Sequence, residues 1–268
     1  MTTHPGPLYL ECTKGQGVAT WAGAILNAAI VAWCASWLLI HAQARPTGLV
    51  LLVIVLVGVF LGDLFTGFVH WMTDTWFDEV MLTRVVSIAR EHHLYPYNIV
   101  GYSFRDYVGY TSWPAVMMFG PILPFLLLFG SEPSSIRYGF VLVFSEVCLL
   151  SFFGTHFHRF GHRRSDSRFV QFLQKAHILI TPQYHALHHG GTHTTHYCVV
   201  TGWANVVCDA IGFWRGLEQL VVWLTGAVPR HNDDEWFARF REDRSFLTDP
   251  VPSLQQWRQH GTARPSTE

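Results

Sequence analysis

Charge is what this chain has least of. Only 14% of its 268 residues are Asp, Glu, Lys or Arg, against about 25% in a soluble globular domain, so half of an ordinary solvated surface is missing. The 18 basic and 19 acidic side chains leave a formal net charge of -1, which excludes the broad positive field of a nucleic-acid-binding surface. The five cysteines (Cys12, Cys34, Cys148, Cys198, Cys208) make no CxxC pair. They are expected as small buried hydrophobes in a reducing compartment, not as a zinc ribbon. The sequence also lacks a flavin, nicotinamide or iron–sulfur motif, so electrons for any redox step must come from a separate molecule.

What fills the space is apolar sequence, 50% hydrophobic and 15% aromatic, which rules out intrinsic disorder. A membrane-spanning helix needs roughly 20 mostly apolar residues. Four stretches qualify: about 17–40, 48–69, 107–129 and 136–157. Pro114, Pro121 and Pro124 predict that the third is kinked or split into two half-helices, and the fourth carries an internal Glu146. Four spans put both termini on one side. The two loops on the other side hold Arg45 and Arg137; every other Lys and Arg lies in the N-terminal segment, the loop 72–106 or the tail after His158. By the positive-inside rule the termini and central loop are cytoplasmic.

The expected architecture is an all-α integral membrane protein: four transmembrane helices, a cytoplasmic histidine-rich cap and interfacial helices. Its divisions are an N-terminal cytoplasmic segment (1–16), one membrane domain (17–228) and a polar tail (229–268). After the fourth span, Arg163, Arg164, Arg168 and Lys175 form a cluster suited to anionic headgroups. Stretches 169–180 and 197–224 read as helices lying in the interface, with Trp203, Trp214 and Trp223 at headgroup depth. The aromatics Trp71, Trp76, Tyr95, Tyr97, Tyr102, Phe104 and Tyr107 read as an interfacial belt in preference to the lining of a substrate groove beside the histidines.

Histidine is the second anomaly, with 16 in the chain. His4, His41, His231 and His260 sit in tails or at a span end and read as wet boundary residues. The rest are spaced. His70 and Asp74 are four apart after span two, His158 and His162 four apart after span four, and His185, His188 and His189 are spaced i, i+3, i+4, with His193 four further on. On a helix these separations share one face, and two imidazoles one turn apart can hold one metal ion. His92 and His93 are adjacent, so their side chains diverge, as ligands of two different ions do. All these groups fall on one face of the predicted membrane, where a metal-free cluster of imidazoles is poorly solvated. Nine histidines plus Asp74 exceed what one ion takes and suit two, each with four or five ligands. Nitrogen-rich sites with an occasional carboxylate favour iron, zinc or copper over magnesium or calcium.

These groups, in this order, resemble membrane histidine-box desaturases and hydroxylases, and are most similar to the plasmanylethanolamine desaturase family. The carrying segments are Gly67-Phe68-Val69-His70-Trp71 with Asp74-Thr75-Trp76, Arg90-Glu91-His92-His93, His158 with His162, His185-Ala186-Leu187-His188-His189 with His193, and Thr201-Gly202-Trp203-Ala204-Asn205. The resemblance covers roughly 62–218. It implies a di-iron, O2-dependent enzyme that desaturates the alkyl ether chain of a plasmanyl phospholipid to the vinyl ether of a plasmalogen. It implies metal ligands at His70, Asp74, His92, His93, His158, His162, His185, His188, His189 and His193, with no catalytic residue separate from them. Asp74 could equally be an acceptor that orients an imidazole, His177 is either a further ligand or a support for one, and Asn205 is a helix cap in preference to a ligand.

The partners implied are a membrane phospholipid substrate and an external electron donor, cytochrome b5-like or ferredoxin-like. A bacterial inner membrane fits somewhat better than the endoplasmic reticulum. The alternatives are a related histidine-box desaturase of an acyl lipid, or a lipid hydroxylase. A metal transporter wants ligands at the bilayer midplane, and the only carboxylates within the spans are Asp63 and Glu146. A haem carrier wants facing axial histidines inside a bundle.

Overall fold

Long apolar runs become long helices. Helix α1 (Lys14–Ile40) and helix α2 (Gly48–Thr75) follow the first two runs, α3 (Phe104–Phe119) covers part of the third, and α4 (Ser135–Phe160) contains the whole of the fourth. In this computed structural model the residues described are 14–77, 86, 88–90, 92–93, 95–96, 98–101, 104–124, 133–163, 165–190 and 193–230; no strand occurs among them. The expectations for residues 1–13, for 125–129 of the third span and for the tail beyond 230 lie outside these. Among the described residues three helices, α1, α2 and α4, are long and apolar enough to cross a membrane. Helix α3, at 16 residues, is about 24 Å long. Pro114 lies inside it, and the break falls later than that proline, at Gly120-Pro121, where the Gly120 N–H still donates to Val116 O at 2.9 Å.

Helix α4 packs on α1, α2 and α3, and α1 also packs on α3. The α2–α4 contact has a constant register. Gly58 faces Glu146, Gly62 faces Leu150, Thr66 faces Gly154 and His70 faces His158. The four-residue step on both helices means that they run parallel, ridge against ridge. At Gly58 and Gly62 a Cβ would overlap the α4 side chain opposite, the close approach that small residues give packed membrane helices. This seam carries the ends of α2 and α4 to the same level.

Over that end lie four shorter helices: α5 (Arg168–Lys175), α6 (Pro182–His189), α7 (Trp203–Ala210) and α8 (Phe213–Thr225). The expected helix over 197–224 is interrupted. Residues 195–201 are irregular, and Gly202 (φ 78°) and Gly212 (φ 64°) occupy the left-handed region open to glycine. These turns fold α7 and α8 back onto α2, so two tryptophans expected at the interface are interior. Trp214 is 3% exposed and Trp71 2%; they pack together and against Tyr197, with Trp214 ring centroids 6.3 Å from Trp71 and 5.1 Å from Tyr197. Trp223 is exposed. Cys34, Cys148, Cys198 and Cys208 are buried and free.

Candidate metal centre

Each histidine arrives on an element that local sequence explains. Helix α6 starts where Thr181 caps it, its hydroxyl accepting from the Tyr184 N–H at 3.2 Å, with Pro182 in the first turn. It lasts two turns, long enough to put His185, His188 and His189 at one end of the bundle. Helix α4 stops at Phe160, so the predicted four-residue spacing from His158 to His162 is not purely helical. The turn is kept by Gly161 N–H donating to His158 O (2.9 Å) and His162 N–H to Arg159 O (3.1 Å), and the two Nε2 atoms lie 3.2 Å apart.

The side chains converge into two groups. One gathers His92, His158, His162, His185 and His189, every ligand atom within 4.8 Å of the others. Its centre is His185 Nε2, which lies 2.8 Å from His158 Nε2, 2.8 Å from His162 Nε2 and 3.1 Å from His189 Nε2. The other gathers His70, Asp74, His93 and His188. Here Asp74 Oδ2 lies 3.3 Å from His70 Nε2, 3.5 Å from His93 Nε2 and 3.7 Å from His188 Nε2, and His93 and His188 Nε2 are 3.2 Å apart. The adjacent pair His92 and His93 is split, one to each group. The groups adjoin: ring centroids are 5.1 Å apart for both His70–His158 and His188–His189.

Two expected residues fall outside both groups. His193, with left-handed backbone (φ 56°), stacks on His93 at 4.1 Å and 17°. His177 is exposed on the turn after α5, its carbonyl accepting from Trp203 Nε1 at 2.6 Å.

Burial and neighbouring imidazoles hold His92, His93, His162, His185 and His188 well below the ordinary 6.5, and lower His189 as well. These rings are therefore neutral, each with a lone pair to offer. So many Nε2 atoms facing one another at about 3 Å have too few protons and acceptors to satisfy one another, and both ring nitrogens of the buried His92 lack a hydrogen-bond partner. A cation at the focus of each group meets that deficit, and each group can hold a metal ion.

Sequence reasoning missed what orients the rings. His70 Nδ1 lies 3.0 Å from Tyr197 O and His188 Nδ1 2.7 Å from Thr195 O. Those carbonyls accept Nδ1–H and leave Nε2 bare toward Asp74. The 195–201 segment supplying them is itself held. Asp63, fully buried in α2, accepts the N–H groups of Val200 (2.9 Å), Thr201 (2.9 Å) and Ala204 (3.1 Å). Asn205 is neither cap nor ligand: its side chain pairs with both backbone groups of Cys198, at 2.8 and 2.9 Å. A lone acidic residue in an apolar span was the sole trace of this clasp in the sequence.

A helical membrane protein with two adjoining histidine-rich groups, each able to hold a metal ion, is thus defined. The chain belongs to the lipid desaturase family, whose domain model matches residues 59–232. It is 30% identical to mouse plasmanylethanolamine desaturase 1 over 236 residues, 85% of this chain and 86% of that protein. It is 31% identical to the plasmanylethanolamine desaturase of Myxococcus xanthus over 189 residues, 68% of this chain and 64% of the bacterial protein. The chloroplastic fatty acid desaturase 4 of Arabidopsis thaliana is 31% identical over 179 residues, 65% of this chain and 52% of its own. No solved structure matches.

Proposed function

We infer that this chain is an iron- and O2-dependent plasmanyl-lipid desaturase, converting an alkyl ether chain to the vinyl ether. The observation that carries the reading is the gathering of eight histidines and Asp74 into two adjoining groups, in a chain similar to plasmanylethanolamine desaturases over most of its length. Iron held by His92, His158, His162, His185 and His189, and by His70, Asp74, His93 and His188, would supply oxidation of an unactivated C–H bond. His193, stacked on His93, joins the second group as a ligand or holds that ring in place. Two hydrogens leave adjacent carbons of the chain, an external donor supplies two electrons with two protons, and O2 ends as two waters. The residues themselves keep their rings neutral, aim their Nε2 atoms inward and exclude solvent.

We read the apolar run 107–129 as a further span beside the three long helices, and the basic-loop asymmetry then supports a site on the cytoplasmic side. The relative named a fatty acid desaturase supports a second reading, an acyl-lipid substrate. Protein purified with iron and supplied with O2, a reduced electron carrier and either alkyl ether or diacyl phospholipid separates them. Mass spectrometry is expected to show loss of two hydrogens from the ether lipid alone. Gain of an oxygen atom identifies a hydroxylase, and an unchanged ether lipid defeats the reading.

A further inference from the structure

Beside the histidines the bundle is hollow. A cavity of about 120 Å³ lies between α2, α3, α4 and the segment before α3, touching His70 of one group and His92 and His158 of the other. On α4 it reaches from His158 back to Ser151, seven residues or roughly 10 Å along the helix. Its hydroxyl-bearing walls are less polar than they look. Thr66 donates to Asp63 O at 2.8 Å, Thr73 to His70 O at 2.9 Å, and Ser151 to Thr111 O, so these hydroxyls are spent on backbone. Thr66 and Thr111 direct methyl groups at Gly154. The Thr111 hydroxyl is buried without a hydrogen-bond partner.

Gly154 differs from the other glycines of the α2–α4 seam. At Gly58 and Gly62 the opposite side chain already fills the space, whereas a Cβ on Gly154 would sit 3.3 Å from Thr66 Cγ2 and 3.6 Å from Thr111 Cγ2. A methyl nearly fits there; a branched side chain projects into the hollow. An apolar cavity of roughly 150 Å³ accepts a six-carbon ring, so this one accepts a chain segment of about four or five carbons.

We propose that this cavity holds the saturated, unbranched part of a lipid chain against both histidine groups. In it Gly154, opposite Thr66 and Thr111, sets whether the chain segment fits beside the histidines. This rests on the desaturase reading, and the test separates the two. The probe is an alkyl ether phospholipid with a photoreactive diazirine in its alkyl chain, added to iron-loaded protein in mild detergent. Labelled peptides and turnover of the unmodified lipid are read in parallel. Wild-type label should fall on the α2 and α4 residues that line the cavity. Gly154→Val should lower that labelling about tenfold, about 1.4 kcal/mol of occupancy, because its branched side chain takes space the chain segment would fill, with iron content kept as the check on folding. Gly154→Ala, which asks its neighbours for only a few tenths of an ångström, gives an intermediate loss and serves if the valine variant does not fold. Thr111→Val should raise labelling, since it removes a buried hydroxyl with no partner. Label on the outer, lipid-facing residues Phe140 or Leu149, undiminished labelling in both Gly154 variants, or a fall with Thr111→Val overturns the proposal. Cavity labelling with no turnover by the wild type leaves the cavity standing and removes the desaturase reading. Turnover without cavity labelling does the reverse.

Discussion

Asp63 offers a test of how the rings are held, because it touches none of them. Asp63→Asn keeps the size and removes the charge. Its one carbonyl oxygen must serve three N–H groups that now share two carboxylate oxygens, and its NH2 opposes at least one of them. A hydrogen bond to a charged acceptor contributes about 1.5–3 kcal/mol against about 1 for a neutral one, and an orphaned buried donor costs about 1–3. The sum is roughly 3–6 kcal/mol, concentrated on residues 200–204. That is enough to open the segment locally before the whole chain unfolds. Tyr197 and Thr195 then lose their hold on His70 and His188, and loss of such an orienting partner weakens metal binding about 10- to 100-fold. The effect should be one-sided, because no ring of the five-histidine group takes its orientation from those carbonyls. Ferrous iron titrated into metal-free protein, with tight-binding stoichiometry as the readout, should fall from two per chain to one. Equal weakening of both sites, or none, refutes the reasoning.

His185→Ala should remove the opposite ion, because its Nε2 sits at the centre of the five-histidine group; metal analysis should show one tight iron remaining. The pH response of the metal-free protein has a definite sign. Six histidines outside the spanning helices have lowered folded values, so the unfolded chain binds more protons below about 6.5 and stability falls as pH drops through that value, by up to about 1.4 kcal/mol per pH unit for each group. Near-UV circular dichroism should show metal-free protein losing tertiary structure over a narrow range below 6.5, with iron shifting the transition downward. Arg230 caps the end of α2, its backbone N–H donating to Thr75 O at 2.7 Å and its guanidinium to Thr73 O at 2.9 Å. Arg230→Ala should cost about 1.5–3 kcal/mol, seen as a lower thermal midpoint with iron stoichiometry unchanged.

How much of this was legible in the sequence depends on the range of the interaction. His185, His188 and His189 are one helical turn apart, and a spacing rule sees such a trio directly. The divergence of His92 and His93 follows equally from adjacency. Three span positions were legible because apolar length is a local property, whereas in the third run α3 stops at Phe119, just before Pro121, one of the three prolines that predicted a kink or split. The rest depends on residues more than a hundred positions apart. Nothing near Asp63 says that residues 200–204 will supply its donors, and nothing near Tyr197 says that its carbonyl will meet His70. Trp214 looked interfacial because aromatic composition cannot reveal that glycine turns at 202 and 212 reverse the chain onto α2. Asn205 looked like a cap because it stands near a helix start, whereas its partner is the Cys198 peptide.

The seam between α2 and α4 joins the legible and illegible parts. A four-residue step of small groups on α2, Gly58, Gly62 and Thr66, ends one step later at His70, and the matching row on α4 ends at His158. Close packing along the apolar length therefore fixes the level at which histidines from two helices meet. Had the seam slipped by one residue, each ring would have rotated by about 100° around its helix axis and the two groups would not form. The cluster is costly to assemble empty, because buried rings that cannot protonate face each other's nitrogens. A large share of the free energy of metal binding is then free energy of folding the cap. The glycines deep in the bundle and the histidines at its end thus act as one device: the first set the register, and that register brings the second together into two groups that can each hold a metal ion.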